Sequence, residues 1–319
     1  MTTYGLRSIR FTVCFTAAAL LLCAANASAQ TTLRWKFKTG QVFEQTITQE
    51  IKTSVAVGEK NMEVAVSQVI DATFTIGNVD DKGVADVTQE MKRIRMKLTG
   101  MMNGELDSDS AEAPSGPVAS LAPAIKSMAK AKFQMKMTPL GEIKEVELSK
   151  DAVEGLKSLP NAGQLSNMLS KEGLAEMVKK GAHPMPGGPV KVGDSWTTNM
   201  EVGVGAVGKM ASQTKLTYAG PEKVGDKPLE RINLEVTAKL EKAAAKPAEK
   251  APAQAVPDVT ITDQKSQGKL YFDNVAGCLD HSELTQDLTL QVAVAGQKFN
   301  QKTQTSTKLQ FKPAAAAKK

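Results

Sequence analysis

Cysteine, histidine and aromatic residues are scarce in this chain, and each shortage removes a class of chemistry. Of 319 residues, three are cysteine and two are histidine, while Phe, Trp and Tyr together make up 4%. Cys14 and Cys23 lie in the N-terminal leader, which leaves Cys278 without a partner for an intramolecular disulfide. Its neighbours Ala276, Gly277 and Leu279 offer no basic setting to activate a thiol, so it reads as a structural cysteine. His183 and His281 stand far apart, with no H-E-x-x-H and no paired-cysteine motif, so a zinc or redox-metal site has no ligand set. Ser/His/Asp catalysis lacks the G-x-S-x-G elbow that presents the nucleophile. The lysines are not interleaved with aromatic rings, which argues against a nucleic-acid surface. After residue 25 no apolar run is long enough to form a spanning helix.

The longest apolar run is at the start. Arg7 and Arg10 precede an apolar stretch over residues 11–25, and Ala27-Ser28-Ala29 supplies small residues at a cleavage site before Gln30. This pattern is that of a secretory signal peptide over residues 1–29. Leu22 before Cys23 is too large for a lipid-modification site. The expectation is an exported, soluble, periplasmic or extracellular protein with no transmembrane anchor. The formal charge is +6, two of which belong to the leader. Much of the remaining excess sits in the Lys-bearing tracts 243–257 and 312–319, and the low-complexity Ala/Lys/Pro stretch 243–258 and the tail 313–319 read as disordered.

Period-two alternation dominates the rest. Phe43, Ile47, Ile51, Val55 and Val57 alternate with polar residues, and after the turn at 58–61 the even positions Met62, Val64, Val66, Ile70, Ala72, Phe74 and Ile76 take over. The third strand slips phase between Val87/Met91 and Ile94/Met96/Leu98, which a β-bulge explains. Residues 100–117 read as a loop with an acidic centre at Asp107 and Asp109, too sparse in ligands for an EF-hand. A short helix opening at Pro123 carries Leu121, Ala124, Ile125 and Met128 on one side. A hairpin follows, with Phe133, Met135 and Met137 before Thr138-Pro139-Leu140-Gly141 and Ile143 to Val146 after it.

The middle, 149–189, is helical and then Pro/Gly-rich. Ser149 is the N-cap of a helix bearing Val153, Leu156 and Leu159. Leu165, Met168 and Leu169, then Leu174, Met177 and Val178, continue it with a break near Gly173, and Lys179-Lys180-Gly181 ends it. Val190-Lys191-Val192-Gly193-Asp194-Ser195-Trp196 then echoes Phe37-Lys38-Thr39-Gly40-Gln41-Val42-Phe43: a Lys two residues before a Gly and an aromatic three after it. Long alternating runs follow both. The reading is a duplicated strand-rich unit, 30–148 and 190–312, around the helical segment. The fold class is α+β, predominantly antiparallel β: two curved meanders with helices covering the sheet edges. Gly203-Val204-Gly205-Ala206-Val207-Gly208 spells a dinucleotide fingerprint but lacks the helix that such a site needs, so no cofactor is expected.

Three stretches, 33–40, 189–196 and 268–273, together make the chain resemble a family of exported bacterial proteins known only as a domain of unknown function. That resemblance implies no activity and no catalytic residues. At fold level only, the curved sheets with intervening helices resemble periplasmic lipoprotein carriers, whose half-open barrels hold acyl chains under a helical lid. The functional expectation is a non-catalytic envelope protein that binds an apolar ligand or lipid. Met128, Met135, Met137, Met168 and Met177 are its candidate cavity lining, because flexible methionines accept varied apolar shapes. A structural or protein-interaction role toward an envelope protein partner is the alternative, and a carboxylate-based hydrolase the third.

Overall fold

The computed structural model describes residues 30–57, 60–101, 103–157, 171–203, 207–242, 258–294 and 297–314. Residues 1–29, read above as a leader, and the 243–257 tract lie outside the described residues. Twelve strands form one antiparallel sheet. The strands are β1 (Val42–Val57), β2 (Lys60–Val79), β3 (Ala85–Gly100), β4 (Gly104–Asp107), β5 (Lys132–Met137), β6 (Ile143–Leu148), β7 (Ser195–Gly203), β8 (Gly208–Val224), β9 (Lys227–Lys242), β10 (Asp258–Asp273), β11 (Cys278–Val294) and β12 (Gln297–Pro313). Among the described residues, three α-helices, α1 (Ala122–Met128), α2 (Lys150–Lys157) and α3 (Lys171–Gly181), and a 3-10 helix over Gly116–Leu121 complete it. The alternation therefore marks the strands well. It missed β4, four residues inside the acidic loop that pair with the far end of β3.

The strand order is β6-β5-β3-β2-β1-β12-β11-β10-β9-β8-β7. Apart from β4, which pairs with β3 beside β5, neighbours in the sheet run consecutively from β1 to β6 and from β7 to β12, and β1 and β12 join in a long register from Phe43↔Pro313 to Ala56↔Asn300. The two halves thus share one continuous sheet. The path is an up-and-down ring that is open between β6 and β7, and β9 and β10 pair only over Glu230–Glu235 and Gln267–Phe272, so these two strands also part toward the other end. Helix α3 packs against both of these edges, so the sheet curls until one helix closes the gap. Covering two free edges in this way leaves neither open to stray pairing.

The repeated motifs fold alike. Gly40 N–H donates to Ile76 O and Ile76 N–H donates to Gln41 O; Gly193 N–H donates to Tyr218 O and Tyr218 N–H donates to Asp194 O. In both, the residue after the Gly also donates back to the Lys carbonyl, at 3.0 Å. The Gly is needed because φ is +79° at Gly40 and +94° at Gly193. The phase slip in β3 is a bulge, with Asp71↔Arg93 followed by Ala72↔Met91, so Lys92 is the extra residue.

One end of the barrel is filled. The N-terminal segment 31–41 crosses it, donating backbone hydrogen bonds from Thr31 to Val190 O, from Trp35 to Pro139 O, from Lys36 to Gly277 O and from Gly40 to Ile76 O. Trp35 lies against Phe37, Phe74, Phe272 and Phe311, with centroids 5.7 to 6.5 Å apart. Arg34 donates to the carbonyls of Pro186 and Gly187, tying this floor to the segment before β7. The floor sits in one core with inward residues from both edges of the sheet, such as Phe133 and Leu216. A smaller cluster of Leu106, Val118 and Ala122 lies under β4 and α1.

The opposite face of the sheet is charged. Arg93 donates to Asp107, with its Nη2 2.5 Å from Oδ2, Arg95 pairs with Asp71 and Lys97 with Glu105. The Arg93 guanidinium bonded to Asp107 holds its carboxyl down at about 2.

Two predictions follow from the floor and this outer face. At Gly277, φ is +70° and an added Cβ would stand 2.6 Å from the Lys36 backbone nitrogen, whereas at Gly40 the φ is similar but nothing lies within 4 Å. Gly277→Ala is expected to cost about 3 kcal/mol in urea unfolding and Gly40→Ala about 1 kcal/mol. A folded-state pKa below the ordinary value means that Asp107 adds stability above pH 4, lost as pH falls through about 2. By carboxyl NMR, Arg93→Ala returns its midpoint to about 4, with little loss of stability because both groups are partly exposed.

Candidate functional site

Paired residues in an antiparallel sheet point to the same side, so the registers assign every strand position to a face. Phe43 is buried and opens the inward series. That series comprises Phe43, Gln45, Ile47, Gln49, Ile51, Thr53 and Val55 on β1, and Phe74, Ile70, Gln68, Val66, Val64 and Met62 on β2. On β12 and β11 the inward positions run from Phe311 and Leu309 to Thr303 and Gln301, and from Leu284 to Leu288, Leu290 and Val292. Val236 and Leu240 on β9, Ile261 on β10, Met210 on β8 and Met200 on β7 complete the far half.

This inner face changes along its length. At about 3.3 Å per residue, a 16-residue strand runs roughly 50 Å; the main packed core occupies the end under residues 31–41, and the small cluster of Leu106, Val118 and Ala122 covers Met96 and Leu98 on β3. Beyond it Ile51, Val55, Val66, Leu288, Leu290, Val292 and Phe299 are half-buried. They are flanked by their strand neighbours, and none belongs to the buried core. Among the described residues no inward position short of the rim is charged. Lys242, at the end of β9, is inward but pairs with Asp258 at 2.5 Å. The outward series carries Glu44, Glu50, Lys52, Lys215, Lys239, Lys302 and Lys308 instead. A membrane-spanning barrel presents an apolar band outward; here the apolar face is the inner one.

The candidate methionines fall elsewhere. Met135 and Met137 are 6% and 7% exposed on β5 and belong to the packed core. Met128 packs against that core from α1, beside Gly155 of α2. Met177 is half-buried on α3, and Met168 lies outside the described residues. The open apolar surface is instead made by strand residues at the other end, which the alternation had marked as inward without showing what covers them.

Other polar groups are committed to structure. Gly203 ends β7 and Gly208 opens β8, so the glycine-rich stretch joins two antiparallel strands rather than a strand and a helix. His183 meets the Thr198 hydroxyl at 3.1 Å. His281 faces outward, stacked on Tyr271 with centroids 4.4 Å apart and 2.8 Å from Asp280. Burial raises the Cys278 thiol to about 11, which keeps it protonated. A cleft of about 560 Å³ beside β4 is walled by Arg95, Lys97, Glu105 and Asp107, whose charges are already paired. No group of three or more acidic, His or Cys side chains placed to hold a metal occurs among the described residues. No described helix is long and apolar enough to cross a membrane.

Solved structures give a loose likeness of fold. The chain is similar to lipovitellin, from a study of its lipid–protein interactions, at 12% identity and a TM-score of 0.44; the match covers 89% of this chain and 26% of that one, about a quarter of its length. It is similar to the hypothetical lipoprotein YmcC from Escherichia coli K12, at 11% identity and a TM-score of 0.24, over 98% of this chain and 100% of the other. A β-barrel-like protein of the domain of unknown function DUF1849 from Brucella abortus matches at 8% identity and a TM-score of 0.18, covering 86% of this chain and 100% of the other. No curated protein matches the chain. Residues 82–278 match the model of DUF6263, and the chain, with its floored and open antiparallel ring, belongs to this family of unknown function.

Proposed function

We propose that this protein is an exported, non-catalytic binding protein of the bacterial envelope that holds an apolar ligand against the inner face of its barrel. One observation carries the reading. Beyond the packed floor the inner face carries no charge short of the rim and presents half-buried apolar side chains at Val55, Val66, Leu288, Leu290 and Val292, while the charged residues are turned outward. A sheet stabilised only by its own packing gains nothing from apolar side chains left partly in water, because each forfeits most of its burial free energy. An apolar ligand laid along Val55, Val66, Leu288, Leu290 and Val292 recovers that energy. The leader at 1–29 supports the assignment to the envelope.

The test is binding of Nile red, an uncharged apolar dye, by the protein purified without its leader. Leu290→Lys puts a charge on the inner face about 30 Å from the floor core along β11 and is expected to weaken dye binding at least tenfold. Its unfolding free energy should change by less than about 1 kcal/mol, because Leu290 lies outside the core. Lys302→Leu, on the outer face beside it, should leave dye binding within twofold. Equal dye binding by Leu290→Lys and the unsubstituted protein would sink the reading.

A further inference from the structure

The inner face is not uniformly apolar, and its exception has an order. Across the middle of the barrel the cross-strand rows carry neutral polar side chains. Gln49 pairs with Gln68 on one side and Thr307 on the other; Ile51 pairs with Thr305, Thr305 with Gln286 and Gln286 with Ser266; Thr53 pairs with Thr303. Toward the rim the rows become mainly apolar, with Val55 and Met62 on β1 and β2 and Leu290 and Ile261 on β11 and β10; Gln301 of β12, between Val55 and Leu290, is turned to the Thr303 hydroxyl, to which its amide donates at 3.4 Å. Some belt groups bond to each other: the Gln49 amide donates to the Thr307 hydroxyl at 3.4 Å, and the Thr53 and Thr303 hydroxyls lie 3.4 Å apart. Gln264 is used up by the backbone of Ala238, donating to its O at 2.9 Å and accepting from its N–H at 2.7 Å. Thr305, Gln286 and Ser266 form one row on β12, β11 and β10, all half-buried. Their side chains have no hydrogen-bond partner among the described residues.

From this arrangement the geometry points to a neutral acyl lipid as the ligand: one with an ester, amide or hydroxyl group rather than a carboxylate or phosphate. The inference rests on the binding reading above and names its ligand class. Hydroxyls and a carboxamide both donate and accept, so the Thr305–Gln286–Ser266 row satisfies a carbonyl and a hydroxyl alike. A carboxylate or phosphate placed there meets no cation, since no inward position at this depth is charged, and an unpaired ion loses its hydration without compensation. The dimensions agree. Six residues separate Ile51 from Val57, roughly 20 Å of strand at 3.3 Å per residue. Half of a bilayer's hydrocarbon thickness, the space an acyl chain occupies, is about 15 Å. The polar group then lies in the belt, and its chain runs along the apolar rows toward the rim.

The experiment is displacement of Nile red by 1-monooleoylglycerol and by oleate, which share one acyl chain, each below its aggregation concentration at pH 9, where oleate is ionised. The expected result is that monooleoylglycerol displaces the dye at a concentration at least tenfold lower than oleate does. Thr305→Val with Gln286→Leu should shrink that preference to under threefold, read as the ratio of the two lipids' displacement concentrations on the same variant. Gln286→Lys should reverse it in favour of oleate. Equal displacement by the two lipids, or a preference untouched by the double variant, overturns the neutral-lipid inference and leaves the apolar reading standing. Failure of the unsubstituted protein to bind Nile red at all overturns both.

Discussion

The ring depends on what happens at its floor. A curled antiparallel sheet with a gap has no reason to hold its curvature unless something inside pulls its two edges toward one another. The segment 31–41 does this through backbone hydrogen bonds at four points around the circumference and through Trp35, which touches rings from β2, β10 and β12. Burial of aromatic area there is the largest local source of stability, and edge-to-face geometry at Phe272 and Phe311 adds to it. Leu33, fully buried, sits between the two halves. Tyr218 locks the same region: its hydroxyl donates to Glu230 at 2.6 Å and lies 3.2 Å from the Thr31 hydroxyl. Burial, with the Glu230 carboxylate beside it, pushes the phenol up to about 12.

Concentrating the stability at one end frees the other. Apart from the small cluster of Leu106, Val118 and Ala122 over β3 and β4, the far half of the sheet is held by hydrogen-bond ladders and cross-strand pairs, so the rest of its inner face need not be filled for the fold to persist. The apolar rows and the neutral belt there are consequently available for recognition. The helices serve the gap: α3 spans β6 and β7, while α1 and α2 pack on each other, with Ser127 of α1 donating to the Asp151 carbonyl of α2 at 2.8 Å.

Much of this was legible in the residues because β-structure writes its faces in period two. The inward series on β1 and β2, the bulge near Lys92 and the equivalence of the Gly40 and Gly193 motifs can all be read from spacing. What spacing does not encode is which strands meet. The pairing of β1 with β12 joins residues some 260 positions apart, and nothing in either strand's alternation names the other. Nor does alternation distinguish an inward residue covered by a floor from one left open: Met135 and Leu290 look alike in sequence, yet one is core and the other lines the open half. The methionine-bearing helices drew attention because Met is common at adaptable surfaces, whereas here Met135 and Met137 fill core space. The four residues of β4 carried too little pattern to be seen.

The β1–β12 seam also has a consequence in time. Strand β1 is complete by residue 57, but the strand that covers its second edge does not begin until residue 297. Throughout synthesis β1 offers a 16-residue row of unpaired backbone groups, and pairing at such sequence separation is slow to form. The chain can assemble β1 to β6 as a local meander, yet its ring closes only after the last strand exists. The interval before closure, rather than the finished barrel, is when this protein is most exposed to pairing with a neighbour.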